Sequence, residues 1–420
     1  MVVRDAVWGD LELEPPLVEL LDTPEVQRLR GVRQLGMAHL VYPSANHTRF
    51  EHGLGTSHLA GRILQALQRA GHPVDPGEAL AIRAAALIHD VGHVPCGHTF
   101  EDERRIFPRH DEPARTRRFL GDTALGAALR RLGLHAAVSC ALGAAEGGGA
   151  LARDIVSGTV CADLLDYLAR DALFTGIRRG WDERLLRYVG LEGGRLVLRL
   201  HQRGLPREDA LSEVVNLLRL RHALTERVYF HHAKVAAGAL VSKMVERAVA
   251  RGLQLEQLFA LGDEGLLLLL AREHAPADPV VARLLGDLQA RRLPKRAYVL
   301  TRRIDPAVQA ALVARFHADR AERERVESEL EQELGLAPGS VILYCPAPEV
   351  SLKEADVLVD AGRDGVRPLH ALGLPEVAVL GERHRDLWRF YAFLCGDPAR
   401  RAALAAACAA RFGAESELAT

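Results

Sequence analysis

The chain has 420 residues, 48% hydrophobic and 26% charged, with 54 Lys and Arg against 55 Asp and Glu for a formal net charge of −1. That balance excludes a disordered chain and a surface built to coat nucleic acid, and the length exceeds one ordinary compact domain. The six cysteines (Cys96, Cys140, Cys161, Cys345, Cys395, Cys408) include no Cys-x-x-Cys pair, there is no basic leader before an apolar stretch, and no apolar run reaches ~18 residues; the expectation is a cytoplasmic protein without disulfides, export signal or membrane span.

Residues 1–15 read as a short strand pair turning at Gly9-Asp10. "PPLVELLDTPEVQRLRGVRQLG" then predicts a helix from Pro16 and a restart with Thr23 as N-cap, Pro24 at the first helical position, and Glu25 and Gln27 in the first turn. Apolar helical spacing continues at 51–70, 77–90, 112–120, 123–143, 151–174 and 208–250, interrupted by the low-complexity stretch 141–150, read as a mobile loop. From about Leu293 the texture changes: "KRAYVLTRRI", "SVILYCPAPEV" and "ADVLVDAGRDGVRPL" are β-rich and surround a helical stretch at 306–334. The fold expected is therefore mainly α, a helical core over 1–292 that opens on a short β-hairpin, followed by a smaller α+β subdomain over 293–420.

Chemistry concentrates early, with nine histidines between His39 and His110. In "RFEHGLGTSHLAGRILQAL", His52 shares a helical face with Leu59 and Ile63, so it points inward and needs a partner, which a backbone carbonyl or a metal ion would equally provide. In "ALIHDVGHVPCGH", His89 and Asp90 are adjacent where a helix ends before Gly92. Neighbours on a helix diverge by about 100°, so both reach one ion only at the helix end; the alternative is a histidine facing the helix dipole beside a solvated aspartate. In "SGTVCADLLDYLARDALFTGI", Asp163, Asp166, Tyr167, Arg170 and Asp171 form one polar face, either a solvated Asp–Arg ladder or the source of a further carboxylate. Two imidazoles and two carboxylates make a mixed nitrogen and oxygen set suited to Fe, Mn, Zn or Mg.

The order His52, His89-Asp90, Asp163, in the setting of "DTPEVQRLRGVRQLG", "NHTRFEHGLGTSHLAG", "LIHDVGHVPCGHTFE" and "DYLARDALFTGI", resembles the HD-domain phosphohydrolases. Within them it resembles the branch of the deoxynucleoside triphosphate triphosphohydrolases, the sterile-alpha-motif-and-HD type included, although the sterile alpha motif domain is not found here. The resemblance covers about residues 1–250, with the motif region near 46–175, and extends weakly to "AYVLTRR" and "VILYCPAP". It implies one divalent ion on His52, His89, Asp90 and Asp163, and a second Mg accompanying the substrate phosphates. It assigns proton work to His93 and His98, with His98 as the acid, makes His110 a further catalytic candidate, and pairs His110 with Glu101. Gln34, Leu35, Arg49, Tyr167 and Asp171 correspond to positions that contact sugar and phosphates; Arg221, Tyr229 and His231 correspond to a second helix that holds phosphate and base.

Two positions depart from the family. Leu164 follows the last metal aspartate where relatives carry a cation, and His232 stands where they carry lysine, which weakens the case for a triphosphate; Arg178, Arg179 and Lys234 are the cations available to compensate. The implied activity is hydrolysis of deoxynucleoside triphosphates to nucleoside and triphosphate. The alternative is an HD phosphohydrolase or phosphodiesterase of shorter nucleotides or oligonucleotides, and the intact ligand set argues against a non-enzymatic nucleotide sensor. The family also implies a homodimer or homotetramer with a guanine-nucleotide effector contacted by an aspartate, a glutamine and an arginine, for which Asp22, Gln27 and Arg30 stand at the matching positions. Asp22 could instead cap a helix turn and Arg30 pair with a neighbouring carboxylate; the N-terminal segment differs from the family in having Arg4 before Asp5.

Overall fold

Thr48 and Glu51 decide where the first long helix starts. In the computed structural model, which describes residues 1–102, 104–317 and 319–418, the Glu51 N–H donates to the Thr48 hydroxyl at 3.4 Å and the Thr48 N–H donates to the Glu51 carboxylate at 2.7 Å. This reciprocal capping box satisfies two donors that a helix start otherwise leaves orphaned. From it runs α1 (Arg49–Arg69), which buries His52, Leu59 and Ile63 together. Asp75 caps α2 (Pro76–Ile88), with Pro76 at the first position, and α3 (Ala162–Thr175) begins after Cys161, whose sulfur accepts from the Leu164 N–H.

Helix α1 packs on both α2 and α3. The approach is close because glycines flank His52: a Cβ on Gly55 would fall 1.9 Å from Asp166 Oδ1, and one on Gly53 2.6 Å from the Leu87 carbonyl oxygen. His52 is thereby brought within reach of the end of α2 and the start of α3.

The N-terminal strand pair forms, with Val2–Asp5 antiparallel to Gly9–Glu12. Its turn lies at residues 6–8 rather than at Gly9-Asp10, because the Asp5 carboxylate accepts from the Val7 and Trp8 N–H groups at 2.8 and 2.9 Å and closes the chain three residues earlier. The next helices are Pro15–Leu21 and Pro24–Gln27; Thr23 precedes the second, but its hydroxyl donates back to the Leu20 carbonyl instead of capping. The pattern over 123–143 splits into Ala124–Arg131 and His135–Ala141 around Gly133, and that over 151–174 into Ala150–Ser157 and α3. The pattern over 208–250 becomes α4 (Glu208–Leu224), a π-helical turn Thr225–Tyr229, and α5 (His232–Ala250).

Beyond residue 293 a three-stranded antiparallel sheet places Arg389–Leu394 between Lys295–Thr301 and Val341–Tyr344, with Pro306–Phe316, α6 (Arg320–Glu333) and Arg401–Phe412 around a core of Phe316, Trp388 and Phe390. Leu358–Asp360 leaves this unit and pairs parallel with Arg195–Arg199, while Leu352, Val357 and Leu369 pack in the helical core. The chain beyond residue 293 therefore contributes to both cores. Among the described residues all six cysteines are free thiols, and no helix is long and apolar enough to cross a membrane.

Candidate metal centre and cleft

Four side chains from three helix ends converge. His52 on the first turns of α1 brings Nε2 to 2.9 Å from Asp163 Oδ1, in the first turn of α3; His89, the residue that ends α2, brings Nε2 to 3.5 Å from the same oxygen and 3.4 Å from Asp90 Oδ1; and His52 Nε2 lies 3.9 Å from Asp90 Oδ2. Each imidazole is oriented through its other nitrogen. His52 Nδ1 meets Asp166 Oδ2 at 2.8 Å, and Arg170 holds Asp166 through bonds of 2.8 and 2.9 Å. His89 Nδ1 donates to the Ala86 carbonyl at 2.9 Å. Nε2 of each ring is then the nitrogen turned toward the carboxylates of Asp90 and Asp163, the arrangement typical of metal-ligating histidines.

The residues fit a divalent ion. His89 Nε2 is buried without a hydrogen-bond partner among the described residues, a costly state that a metal bond relieves. Burial opposes charge on His52, yet its bonds to Asp163 and Asp166 hold the imidazole up to about 10. His52 and His89, against burial, hold Asp163 well below the usual carboxylate range, and Asp90 is held down chiefly by Arg49, which donates to Oδ2 at 2.5 Å.

Beside this set stand His93, His98, Glu101 and His110. The rings of His93 and His110 are stacked with centroids 3.6 Å apart, His98 meets both edge-on, and His110 Nδ1 lies 2.9 Å from Glu101 Oε2 while Arg115 donates to Glu101 Oε1 at 2.8 Å. Glu101 thus sits against His110 as expected. Burial pushes His93 and His110 down, His93 further because Arg49 is near, whereas the His98 side chain is 46% exposed.

A cleft of about 1100 Å³ adjoins these residues, lined by Gln34, Leu35, Arg49, His98, Glu101, Tyr167, Asp171, Arg221, Tyr229 and Lys234 together with Arg105, Arg109, Lys353, Glu354 and His384. Seven of the eight residues expected to hold substrate therefore share one cavity. His231 is the exception: its Nδ1 accepts from the Ala233 N–H at the start of α5 and its ring stacks on His232. Several walls are residues that sequence spacing did not single out. His47 and the Tyr229 hydroxyl grip Asp171 at 2.8 and 2.7 Å, and Arg221, beside the rings of Tyr167 and Tyr229, bonds Glu354 at 3.0 Å. His47 belongs to the quoted "NHTRFEH", but its partner is 124 residues away; the Asp166–Arg170 pair was visible only as an i,i+4 ladder.

Leu164 is buried in the apolar core, and His232 is exposed and pushed down to about 4 by partial burial and Arg296. Arg178 is exposed and outside the cleft lining, Arg179 lines a separate groove, and only Lys234 of the three compensating cations faces this cavity. Away from it, Arg30 Nε donates to Gln27 Oε1 at 2.9 Å and its guanidinium lies 3.6 Å over the Phe50 ring, while Asp22 is exposed.

Residues 49–171 match the HD domain and residues 182–413 match the HD associated region. The chain is 31% identical over 264 residues to an uncharacterized protein of Methanocaldococcus jannaschii, covering 61% of this chain and 51% of that one. It is 42% identical over 102 residues to human deoxynucleoside triphosphate triphosphohydrolase SAMHD1, covering 24% of this chain and 16% of that protein. It spans about half the length of the first of these relatives and less of the second. In fold it is similar to a phosphohydrolase from Bacteroides thetaiotaomicron, with a TM-score of 0.73 at 20% identity over 94% of this chain and 100% of that one. A hypothetical protein from Aquifex aeolicus gives a TM-score of 0.72 at 22% identity over 96% and 99%.

Proposed function

The chain belongs to the HD-domain proteins that carry an HD associated region, and from that premise we propose that it is a metal-dependent phosphohydrolase that converts deoxynucleoside triphosphates to nucleoside and triphosphate. The observation that carries the reading is the convergence of His52, His89, Asp90 and Asp163, with both imidazoles tied at Nδ1 and His89 Nε2 buried without a hydrogen bond among the described residues, between the Asp90 and Asp163 carboxylates. A divalent ion, Fe, Mn, Zn or Mg, held there lowers the pKa of water toward ~7 and screens phosphate charge.

The chain's own residues supply the rest. Arg49, one guanidinium nitrogen on Asp90, faces the cleft beside Gln34 and Leu35 and is placed to meet an α-phosphate. Tyr167, Asp171, Arg221 and Tyr229 form the opposite wall for sugar and phosphates, with the carboxylate of Asp171 fixed by His47 and Tyr229. His98 delivers a proton to the departing sugar oxygen: it is the half-exposed member of its cluster, whereas burial holds His93 and His110 neutral near pH 7. The Asp102 and Glu101 carboxylates flank it, 3.4 and 3.6 Å from His98 Nδ1. The family resemblance also supports a homodimer or homotetramer and a guanine-nucleotide effector at Asp22, Gln27 and Arg30.

A second reading, hydrolysis of shorter nucleotides or of oligonucleotide phosphodiesters, is favoured by the core position of Leu164 and by the neutral, exposed His232, neither of which brings positive charge to a polyphosphate tail. Incubating the protein with Mn²⁺ and separately dGTP, ATP, a mononucleotide and single-stranded DNA separates the two. Nucleoside plus intact triphosphate from dGTP is the expected result. Release of orthophosphate alone, or cleavage of DNA with dGTP untouched, overturns the first reading.

A further inference from the structure

The imidazole of His52 is braced from the N-terminal hairpin. Asp166, completely buried behind it, receives two hydrogen bonds at each oxygen. His52 Nδ1 and Arg170 Nε donate to Oδ2 at 2.8 Å each, and Arg170 Nη2 and the Trp8 indole N–H donate to Oδ1 at 2.9 and 2.5 Å. A carboxylate offers about four lone-pair sites, so Asp166 is saturated and cannot turn without breaking a bond. The fourth donor comes from 158 residues away, on the turn between Val2–Asp5 and Gly9–Glu12.

The same turn grips Arg170. Asp5 Oδ2 accepts from Arg170 Nη1 at 2.8 Å, while Asp5 Oδ1 accepts the Val7 and Trp8 N–H groups. One buried side chain therefore both shapes the turn that carries Trp8 and fixes the guanidinium that holds Asp166. Charge adds to geometry. Arg170 alone would cancel Asp166, but two carboxylates against one guanidinium leave a net −1 behind His52. A net negative group there keeps the imidazole proton at Nδ1 and strengthens Nε2 as a ligand, and its influence is larger in a buried network than in water. The half-buried Trp8 ring stacks on His58 and tilts against Trp181, with centroids 6.1 and 5.9 Å away. Neither Asp5 nor Trp8 belongs to the lining of the substrate cleft.

We infer that Asp5 and Trp8 are positioning residues of the metal centre, and that the hairpin docked through them sets how tightly an ion is held at His52, His89, Asp90 and Asp163. They act through Asp166 and Arg170 on the orientation and ligand strength of His52, and leave the nucleotide's own contacts unchanged. The inference rests on the first metal site of the proposed function, but not on which nucleotide is cleaved.

The test is Mn²⁺ affinity of the full chain without nucleotide, measured by competition with a fluorescent chelator after the protein has been stripped of metal. Trp8→Phe keeps the ring packing on His58 and Trp181 and removes only the N–H; it should weaken Mn²⁺ binding by about 10-fold, the low end of what orienting partners behind a ligand contribute. Asp5→Asn keeps an oxygen for the Val7 and Trp8 N–H groups and withdraws the charge from Arg170; a loss of similar size is expected, with parental circular dichroism in both variants. Trp8→His returns an N–H at the same ring position and should restore the affinity. The KM for nucleotide should stay at the parental value, and saturating Mn²⁺ should recover kcat. An ion that His89→Ala loses but Trp8→Phe binds as tightly as the parent overturns the inference and leaves the proposed function standing. A weakened affinity that Trp8→His fails to restore also overturns it, because packing rather than the N–H would then be responsible. A parent that takes up no ion overturns both.

Discussion

His89 is where a single substitution says most about the centre. Its Nδ1 is committed to the Ala86 carbonyl and its Nε2 has no hydrogen-bond partner among the described residues, facing only the Asp90 and Asp163 carboxylates, so His89→Ala should remove a metal ligand without breaking a bond that the helical core needs. Loss of the ion bound with His52 and Asp163 and of nearly all turnover is expected, with the far-ultraviolet circular dichroism retained. Unchanged metal content by elemental analysis would contradict the ligand assignment. His98 offers the complementary case. His98→Ala should lower kcat by ~10²–10⁴ while leaving metal content close to that of the parent, and the limb of the pH–rate profile that reports the acid should disappear. A kcat equal to the parent's would move the role elsewhere in the cluster.

At the scale of elements, the loop that follows His98 is anchored by buried ion pairs to α5 and α6. Arg104 is fully buried and donates to Glu246 of α5 at 2.9 and 2.6 Å, to Glu327 of α6 at 3.0 Å and to the Leu343 carbonyl at 2.8 Å; Arg323 also bonds Glu246 at 2.8 Å, and Lys243 bonds Glu327. Three cations and two carboxylates thus tie Glu101 and Asp102, through their near neighbour, to the C-terminal unit. Removing one partner of a buried network strands the other charges, so Glu246→Gln should cost ~3–5 kcal/mol of stability, read from denaturant unfolding. The pH dependence follows from sign. Burial alone would raise the Glu246 carboxyl, but Arg104 and Arg323 hold it below its ordinary value. A carboxyl depressed in the folded state contributes stability that is present above its unfolded pKa, ~4.3, and is lost as pH falls below that value. Thermal melts from pH 7 to pH 3 should therefore fall less steeply in Glu246→Gln than in the parent, and equal slopes would remove Glu246 from the account.

At the scale of the whole molecule, the proposed assembly and regulation are open to one experiment. The Arg30 guanidinium, stacked on Phe50 and bonded to Gln27, is displayed at the start of α1, some turns of chain ahead of His52 and outside the cleft. A homodimer or homotetramer is expected in sedimentation, and GTP is expected to raise the initial rate through a coupling of ~1–3 kcal/mol that Arg30→Ala abolishes. A monomer with and without GTP would dispose of the assembly, and rates indifferent to GTP in both proteins would dispose of the effector.

The sequence by itself determined what local physics controls. Helical spacing, caps and the glycine after His89-Asp90 place the long helices and put imidazoles and carboxylates at their ends, and residue chemistry marks His52, His89, Asp90 and Asp163 as a set before any distance is known. The resemblance of the four motif blocks carried the family. Tertiary structure decided who partners whom. His52 and Asp166 are 114 residues apart, Arg221 and Glu354 are 133 apart, and no periodicity relates either pair. Packing of α1 on α3 turned an apparent Asp–Arg ladder into the support behind His52, and the return of Leu358–Asp360 to the helical core carried a strand across the change in sequence texture. His231 fell outside the cleft because a π-helical turn ends α4 early and commits that side chain to starting α5. Local sequence sets each element's faces and ends, but which faces meet depends on how the whole apolar surface is buried at once.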